Sequence, residues 1–316
     1  MKLFWIICTV IFAVFVFFFI FGYICFFRAC GRRNKYPADR LEYGGGEHLP
    51  EESLAALRKS REWFDGASFE RVHTCSRDGL RLSGQILPSE GEARGNVIML
   101  HGYHSSCRRD LSLQAQILHE NGYNLLLVDQ RSHGESEGRY ICFGALERFD
   151  VAIWCELMNG RFGTLPTALF GLSMGASTAM MAAGSVSLPE NVRCVIADCG
   201  FTSPWEIIKN TLRYRHKIMP YPVIYFMNYW SKALAGFDYR EISTLDTLKA
   251  SRLPVLIFHG ERDRFVPEVM SRQMHAASPE NTTLVRVPEA RHTQAIFFDL
   301  EGYKNKTLSF LDEKLR

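Results

Sequence analysis

Between Lys2 and Arg28 the chain carries no charged residue; LFWIICTVIFAVFVFFFIFGYICFF fills residues 3–27 without a break. Few structures suit such a run. In hydrocarbon every backbone N–H and C=O must be satisfied inside the segment, and a lone segment achieves that only as a helix. As a helix, 25 residues reach about 37 Å, enough to cross the ~30 Å apolar core of a bilayer with some tilt. A cleaved signal peptide would have a shorter apolar core followed by a small-x-small site. Here Tyr23, Ile24, Phe26 and Phe27 stand where small residues would be needed, and Gly22-Tyr23-Ile24-Cys25 is a poor lipoprotein box. The run therefore reads as a retained transmembrane anchor, with its basic flank completing residues 1–35.

Charge gives that anchor a direction. Residues 1–40 hold Lys2, Arg28, Arg32, Arg33, Lys35 and Arg40 against Asp39 alone. Of the chain's 37 basic and 34 acidic residues this leaves 31 and 33, so the body has no basic surplus with which to hold nucleic acid. All but Lys2 of the basic cluster follows the span, which by the positive-inside rule puts the remainder of the chain in the cytoplasm. The nine cysteines agree with a reducing compartment: their number is odd, and no spacing suggests a disulfide framework or zinc site. Cys75, Cys107, Cys142, Cys155, Cys194 and Cys199 read as buried small hydrophobes or bystanders.

Beyond the anchor, residues 36–50 are polar and contain Gly44-Gly45-Gly46, a flexible tether. Helical spacing at residues 51–64 (Leu54, Leu57, Trp63, Phe64) makes 36–69 a linker with a lead-in helix. Apolar runs then recur at 71–75, 80–87, 96–100, 124–128, 167–170, 192–197, 253–258 and 282–287. Helix-length segments at 108–121, 145–158, 174–184 and 266–277 separate most of the later ones, and 300–315 closes the series. This alternation predicts an α/β domain over 70–316: a mostly parallel eight-stranded sheet with helices on both faces. The first two runs, joined through Arg77-Asp78-Gly79, predict an antiparallel hairpin at its leading edge. One interval breaks the rhythm. Residues 201–250 are rich in aromatics, including Trp205, Tyr214, Tyr225, Tyr229 and Trp230, and are too long for a bare loop, so they read as a helical insertion. Its aromatics suit either an apolar substrate or an ordinary core.

The chemistry begins at Gly171-Leu172-Ser173-Met174-Gly175. A nucleophile on a tight strand-to-helix turn needs small residues two places to either side, because the backbone passes close there. The pattern alone is weak, and Gly134-Glu135-Ser136-Glu137-Gly138 matches it too. Context separates them: Ser173 follows a strand run and precedes a small-residue helix, whereas Ser136 stands among charged residues well past its strand. Acyl transfer also needs N–H donors for the oxyanion. An elbow supplies one from the residue after the nucleophile, Met174, and the other comes from the loop after the third strand, at Tyr103 in His101-Gly102-Tyr103. His101, at a strand end before the elbow, reads as structural; His104 and the Tyr103 side chain suit either a pocket wall or a plain loop. The acid and then the histidine are expected after later strands. Asp263, in His259-Gly260-Glu261-Arg262-Asp263, is the expected acid, with Glu261 and Asp198 as rivals. His292, the last histidine of the chain, is the expected base.

The motifs HGY, DQRSHGESEG, GLSMG, HGERDRFVP and ARH, in this order from about Glu70 onward, resemble the α/β-hydrolase superfamily, and within it the serine-aminopeptidase and acylglycerol-lipase-like branch. The resemblance implies an eight-stranded sheet with a lid after strand six, here about 201–250. Ser132 departs from it, standing where that branch often has glycine. The expected function is hydrolysis of a carboxylic ester through an acyl-enzyme on Ser173, with a small-molecule or lipid-like acyl substrate and no metal or organic cofactor. Amide hydrolysis by the same residues, or a non-catalytic binding role on the same fold, are the rival readings. The sequence sets no oligomeric state. Since every nominated catalytic residue lies after Leu100, deleting residues 1–35 is expected to free a domain still active on dissolved esters.

Overall fold

The computed structural model describes residues 1–32 and 49–316; Arg33, Lys35, Arg40 and the Gly44-Gly45-Gly46 tether lie outside them. The apolar runs form β1 (Glu70–Cys75), β2 (Arg81–Leu87), β3 (Gly95–Leu100), β4 (Tyr123–Asp129), β5 (Thr167–Leu172), β6 (Val192–Asp198), β7 (Val255–Gly260) and β8 (Thr282–Val287). Helices are α1 (Lys2–Cys30), α2 (Glu51–Gly66), α3 (Cys107–Glu120), α4 (Glu147–Phe162), α5 (Met174–Ser185), α6 (Pro204–Asn210), α7 (Val223–Trp230), α8 (Thr244–Ala250), α9 (Val269–Ala277), α10 (Ala295–Phe298) and α11 (Leu300–Lys314). The strands pair in the order β1-β2-β4-β3-β5-β6-β7-β8. Only β1–β2 and β2–β4 are antiparallel.

Strand β3 shows why both faces are covered. Val97 and Met99 enter one cluster with Leu111 and Leu118 of α3 and Leu57 of α2. Ile98 and Leu100 point the opposite way, toward Trp154 of α4, Ala179 of α5 and Met274 of α9. A strand buried on both faces reads as a continuous apolar run, which is how the sequence presents it. Strand β1 lies at the edge and has no buried residue, so Cys75 at its end is exposed, the bystander rather than the buried hydrophobe of the two expectations. The other five cysteines named with it are buried, and all nine thiols are unpaired.

Between β6 and β7 the insertion is helical. Ser203 caps α6, its hydroxyl accepting from the Glu206 amide at 3.1 Å, with Pro204 in the first turn where no N–H is needed. Both α6 and α7 run on into five-residue π-helical turns, Thr211–Arg215 and Ser231–Ala235. The aromatics divide three ways. Phe237 and Tyr239 are buried, Phe226 and Trp230 pack on α1, and Tyr214, Tyr221, Tyr225 and Tyr229 are exposed.

Helix α1 is long and apolar enough to cross a membrane. It is not free of the domain. Phe15 and Phe19 meet Phe226 with ring centroids 5.5 and 6.4 Å apart, and Phe19 meets Trp230 at 4.6 Å. Gly22 lies under Phe226 so closely that a Cβ would come within 2.4 Å of the Phe226 Cβ. Past the helix, Gly31 bridges Tyr140, and the Arg32 guanidinium donates to the carbonyls of Gly134 at 2.7 Å and Ser136 at 2.6 Å.

Candidate active site

Ser173 stands at the crossing from β5 into α5 with φ 55° and ψ −112°. A side chain in that region is strained and persists only where the surroundings hold it. Glycines allow those surroundings to close in. A Cβ on Gly171 would lie 2.3 Å from the Gly175 backbone, and one on Gly175 would lie 2.0 Å from the Leu100 carbonyl oxygen. The Ser173 amide donates to the Asp198 carbonyl at 2.7 Å, tying the turn to β6.

The structure brings Ser173, His292 and Asp263 together from three loops. The Ser173 hydroxyl lies 2.8 Å from His292 Nε2, and His292 Nδ1 lies 2.7 Å from Asp263 Oδ2. A carboxylate only accepts, so Nδ1 carries the proton and Nε2 is left to accept from the serine. Gly260 makes the approach of the last two loops feasible, because a Cβ there would meet the Ala290 carbonyl oxygen at 2.3 Å. The Arg262 amide donates to that same carbonyl at 2.9 Å.

Asp263 is buried, which alone would raise its pKa. The charge of His292 and hydrogen bonds from His259 and His292 outweigh this and hold the carboxyl well below the usual carboxylate range. Its other oxygen, Oδ1, accepts from the amides of Phe265 and Val266, each at 2.9 Å. Asp263 therefore sits in an oriented nest of donors rather than in a loop exposed to water.

The two rival acids are engaged elsewhere. Glu261 pairs with Arg286 at 3.0 Å. Asp198 Oδ2 accepts from the Tyr303 hydroxyl at 3.0 Å, and burial pushes its carboxyl up to about 6. Ser136 is buried, its oxygen accepting from the Ser83 amide at 2.8 Å and its hydroxyl donating to the Asp129 carbonyl at 2.5 Å. Buried His101 uses both ring nitrogens on the backbone, Nδ1 to the Gly102 carbonyl at 2.7 Å and Nε2 to the Gln130 amide at 3.2 Å. Ser132 has φ 65°, the left-handed conformation that a glycine adopts without cost, and its hydroxyl donates to the Tyr140 carbonyl at 2.8 Å.

Met174 opens α5, so its amide has no acceptor within the helix. The loop after β3 passes Ser173 at Gly102, where a Cβ would lie 3.6 Å from the Ser173 Cβ. Asp110 shapes this loop, accepting from the Gly102 amide at 2.8 Å and the Ser105 hydroxyl at 2.5 Å. Tyr103 follows on the cavity wall, as does His104.

Three features escaped the reading of the sequence. His259 lies with Nε2 3.3 Å from Asp263 Oδ2, a second neighbour of the acid. Its position at the end of β7 was legible, but nothing in the sequence separated it from a core histidine. Cys199 brings its sulfur within 4.8 Å of donor atoms of Asp263 and His292, and burial together with Asp198 and Asp263 keeps the thiol protonated. The third is larger. A cavity of about 940 Å³ opens over Ser173 and His292, and Phe21, Ile24, Cys25, Arg28 and Ala29 of α1 form part of its wall. The Tyr103 hydroxyl donates to the Ala29 carbonyl at 2.6 Å. Residues 1–35 thus supply part of the wall of this cavity.

The sheet order, the strand-to-helix turn at Ser173 and the helical insertion after β6 give the chain the α/β-hydrolase fold. The family model for serine aminopeptidase S33 matches residues 91–221, less than half of the chain. The uncharacterized protein YqkD of Bacillus subtilis is 26% identical over 219 residues, covering 68% of this chain and 70% of its own. YfhR of Escherichia coli K12 is 24% identical over 253 residues, 78% of this chain and 82% of its own. Among solved structures, the Pyrococcus furiosus esterase Pf2001 superposes with a TM-score of 0.63 at 23% identity, covering 86% of this chain and 96% of its own. At that identity the likeness is one of fold.

Proposed function

We propose that this chain is a serine hydrolase that cleaves a carboxylic ester of an acyl- or lipid-like substrate through an acyl-enzyme. The observation that carries the reading is the hydrogen-bonded series from Asp263 through His292 to Ser173, opening into a cavity whose wall includes Phe143, Phe201, Ile207 and Leu212. Ser173 Oγ attacks the ester carbonyl as its proton passes to His292 Nε2, and the buried Asp263 carboxylate stabilises the imidazolium. The amides of Met174 and Tyr103 are the proposed donors to the oxyanion. Collapse of the tetrahedral intermediate breaks the C–O bond, and the leaving alkoxide takes the proton from His292. Water then adds to the acyl-serine with His292 as base, releasing the acid and restoring the serine. Neither a metal nor an organic cofactor takes part in these steps. Labelling by a fluorophosphonate probe, mapped by mass spectrometry, tests the reading: adduct on Ser173 is expected, and absence of both adduct and ester turnover would leave the non-catalytic role.

A second reading, amide hydrolysis, is favoured by the description of the matched family model. Short-chain esters and aminoacyl amides compared on one preparation separate the two. For location we propose that α1 is retained as a single membrane span with the hydrolase domain on the cytoplasmic side, as the Arg28 and Arg32 flank supports. Protease added to intact cells or protoplasts should leave the domain uncut; digestion without lysis would place it outside.

A further inference from the structure

Two stripes run along α1. Phe15, Phe18, Phe19, Gly22 and Phe26 recur at helical spacing and pack among lid residues, Phe226 and Trp230 foremost. Phe21, Ile24, Cys25 and Arg28 recur on the neighbouring stripe and face the cavity that holds Ser173. The helix is thus clamped on one side and forms a pocket wall on the next.

Its length then fixes the depth of the lid. Only residues 2–14 precede the first ring contact with the lid, about 20 Å of helix at 1.5 Å per residue, well short of a ~30 Å hydrocarbon core. A full span needs roughly 20 residues, which carries the segment 15–22, and with it Phe226 and Trp230, into the leaflet. Exposed tyrosines fit that depth. Tyr221, Tyr225 and Tyr229 recur every fourth residue and are 44%, 53% and 54% exposed, the amphipathic rings that settle at a headgroup boundary. The charged residues that line the cavity are Arg28, Arg109, Asp110 and Arg215, a positive balance, and among them His216 has its pKa lowered by burial and by the charges of Arg215 and Arg28. A positive balance of charge in a cavity that also presents Phe21, Ile24, Ile207 and Leu212 suits an anionic head on an apolar tail.

Resting on the serine-hydrolase reading, we propose that the anchor is part of the substrate site: a single-chain anionic lipid enters from the leaflet, its acyl chain along Phe21, Ile24 and Cys25 and its head group against Arg28 and Arg215. The test uses the full-length protein in phosphatidylcholine vesicles. Its probes are palmitoyl-lysophosphatidylglycerol, monopalmitoylglycerol and p-nitrophenyl acetate. Ile24→Trp, which fills the wall, is expected to lower the rate ratio of the palmitoyl lipids to the acetate ester by about tenfold or more. Arg28→Gln combined with Arg215→Gln should lower the ratio of the anionic to the neutral palmitoyl lipid by a similar factor, about tenfold. Phe12→Leu, on the part of α1 away from the lid, should leave both ratios unchanged. Should Ile24→Trp fail to fold, Ile24→Ala decides, with an expected shift of the preferred chain to longer acyl groups. Unmoved ratios in variants whose Ser173 still takes the fluorophosphonate overturn this proposal. Wild-type protein with no label and no turnover on any probe overturns the serine-hydrolase reading instead.

Discussion

Asp263→Asn isolates what the acid does. Asp263 Oδ1 accepts from the Phe265 and Val266 amides, and Oδ2 faces His292 Nδ1. An asparagine placed there has one acceptor and one donor end. Two fixed backbone N–H groups claim the acceptor, so the side-chain NH₂ must turn toward His292. A donor facing Nδ1 is satisfied only if that nitrogen gives up its proton, which then moves to Nε2, the atom 2.8 Å from the Ser173 hydroxyl. The base is left in the wrong tautomer with its geometry intact. The same exchange in a serine protease lowers kcat about 10⁴-fold. Since each tenfold is about 1.4 kcal/mol, this loss corresponds to a barrier rise of roughly 5.5 kcal/mol. Ester turnover and fluorophosphonate labelling rates measure it, and the ¹⁵N shifts of His292 report which nitrogen holds the proton. A loss below tenfold, or an Asp198→Asn variant that loses as much as Asp263→Asn, would refute the assignment.

Three further outcomes are expected. Ser173→Ala should abolish labelling and turnover with the fold retained, whereas Ser136→Ala should stay active yet lose about 1–3 kcal/mol of stability, because the buried Ser83 amide loses its acceptor; activity lost with Ser136 and kept without Ser173 would exchange their roles. Asp198, held at about 6 when folded against roughly 3.9 unfolded, binds its proton more tightly in the folded state, so wild-type stability falls through this group as pH rises from about 4 to 6. Asp198→Asn removes that slope, so its melting temperature relative to wild type should rise over this window; parallel curves would count against it. Gly22→Val presses a Cβ onto Phe226 and should cost about 1–3 kcal/mol of helix–lid packing, seen as faster hydrogen exchange in α7.

The sheet was legible because parallel strands buried on two faces leave long aliphatic runs, and because turns and helices of near-standard length separate them. The boundaries of β3 and β5 differ from the apolar runs by one and two residues, where Gly95, Gly171 and Leu172 continue the ladder without strengthening the run. The nominated site residues meet because each follows a strand end on the same edge of one sheet, a relation that chain order preserves. What sequence order does not preserve is the second neighbour. Asp110 and His259 act through loops folded back on themselves, so no spacing rule marks Asp110 as the acceptor for Gly102 or His259 as a companion of Asp263.

The packing of α1 on the domain was illegible for a different reason. A helix that packs on a soluble core is recognised by contrast, apolar on the packed face and polar on the other. Helix α1 is apolar all round, so the stripe that meets Phe226 and the stripe that faces the cavity carry the same residue types as the rest of its surface. The only local marks are Gly22, where the lid comes too close for a side chain, and Cys25, small among phenylalanines. Arg28 carries two meanings at once, a charge that follows the apolar run and a charge in the wall of a cavity. Hydropathy gives the first meaning, and only the fold of the lid over α1 gives the second. A segment that composition separates from the α/β domain is therefore, in space, part of the wall of the cavity over Ser173, and the Tyr103 hydroxyl on the Ala29 carbonyl joins the two at the loop after β3.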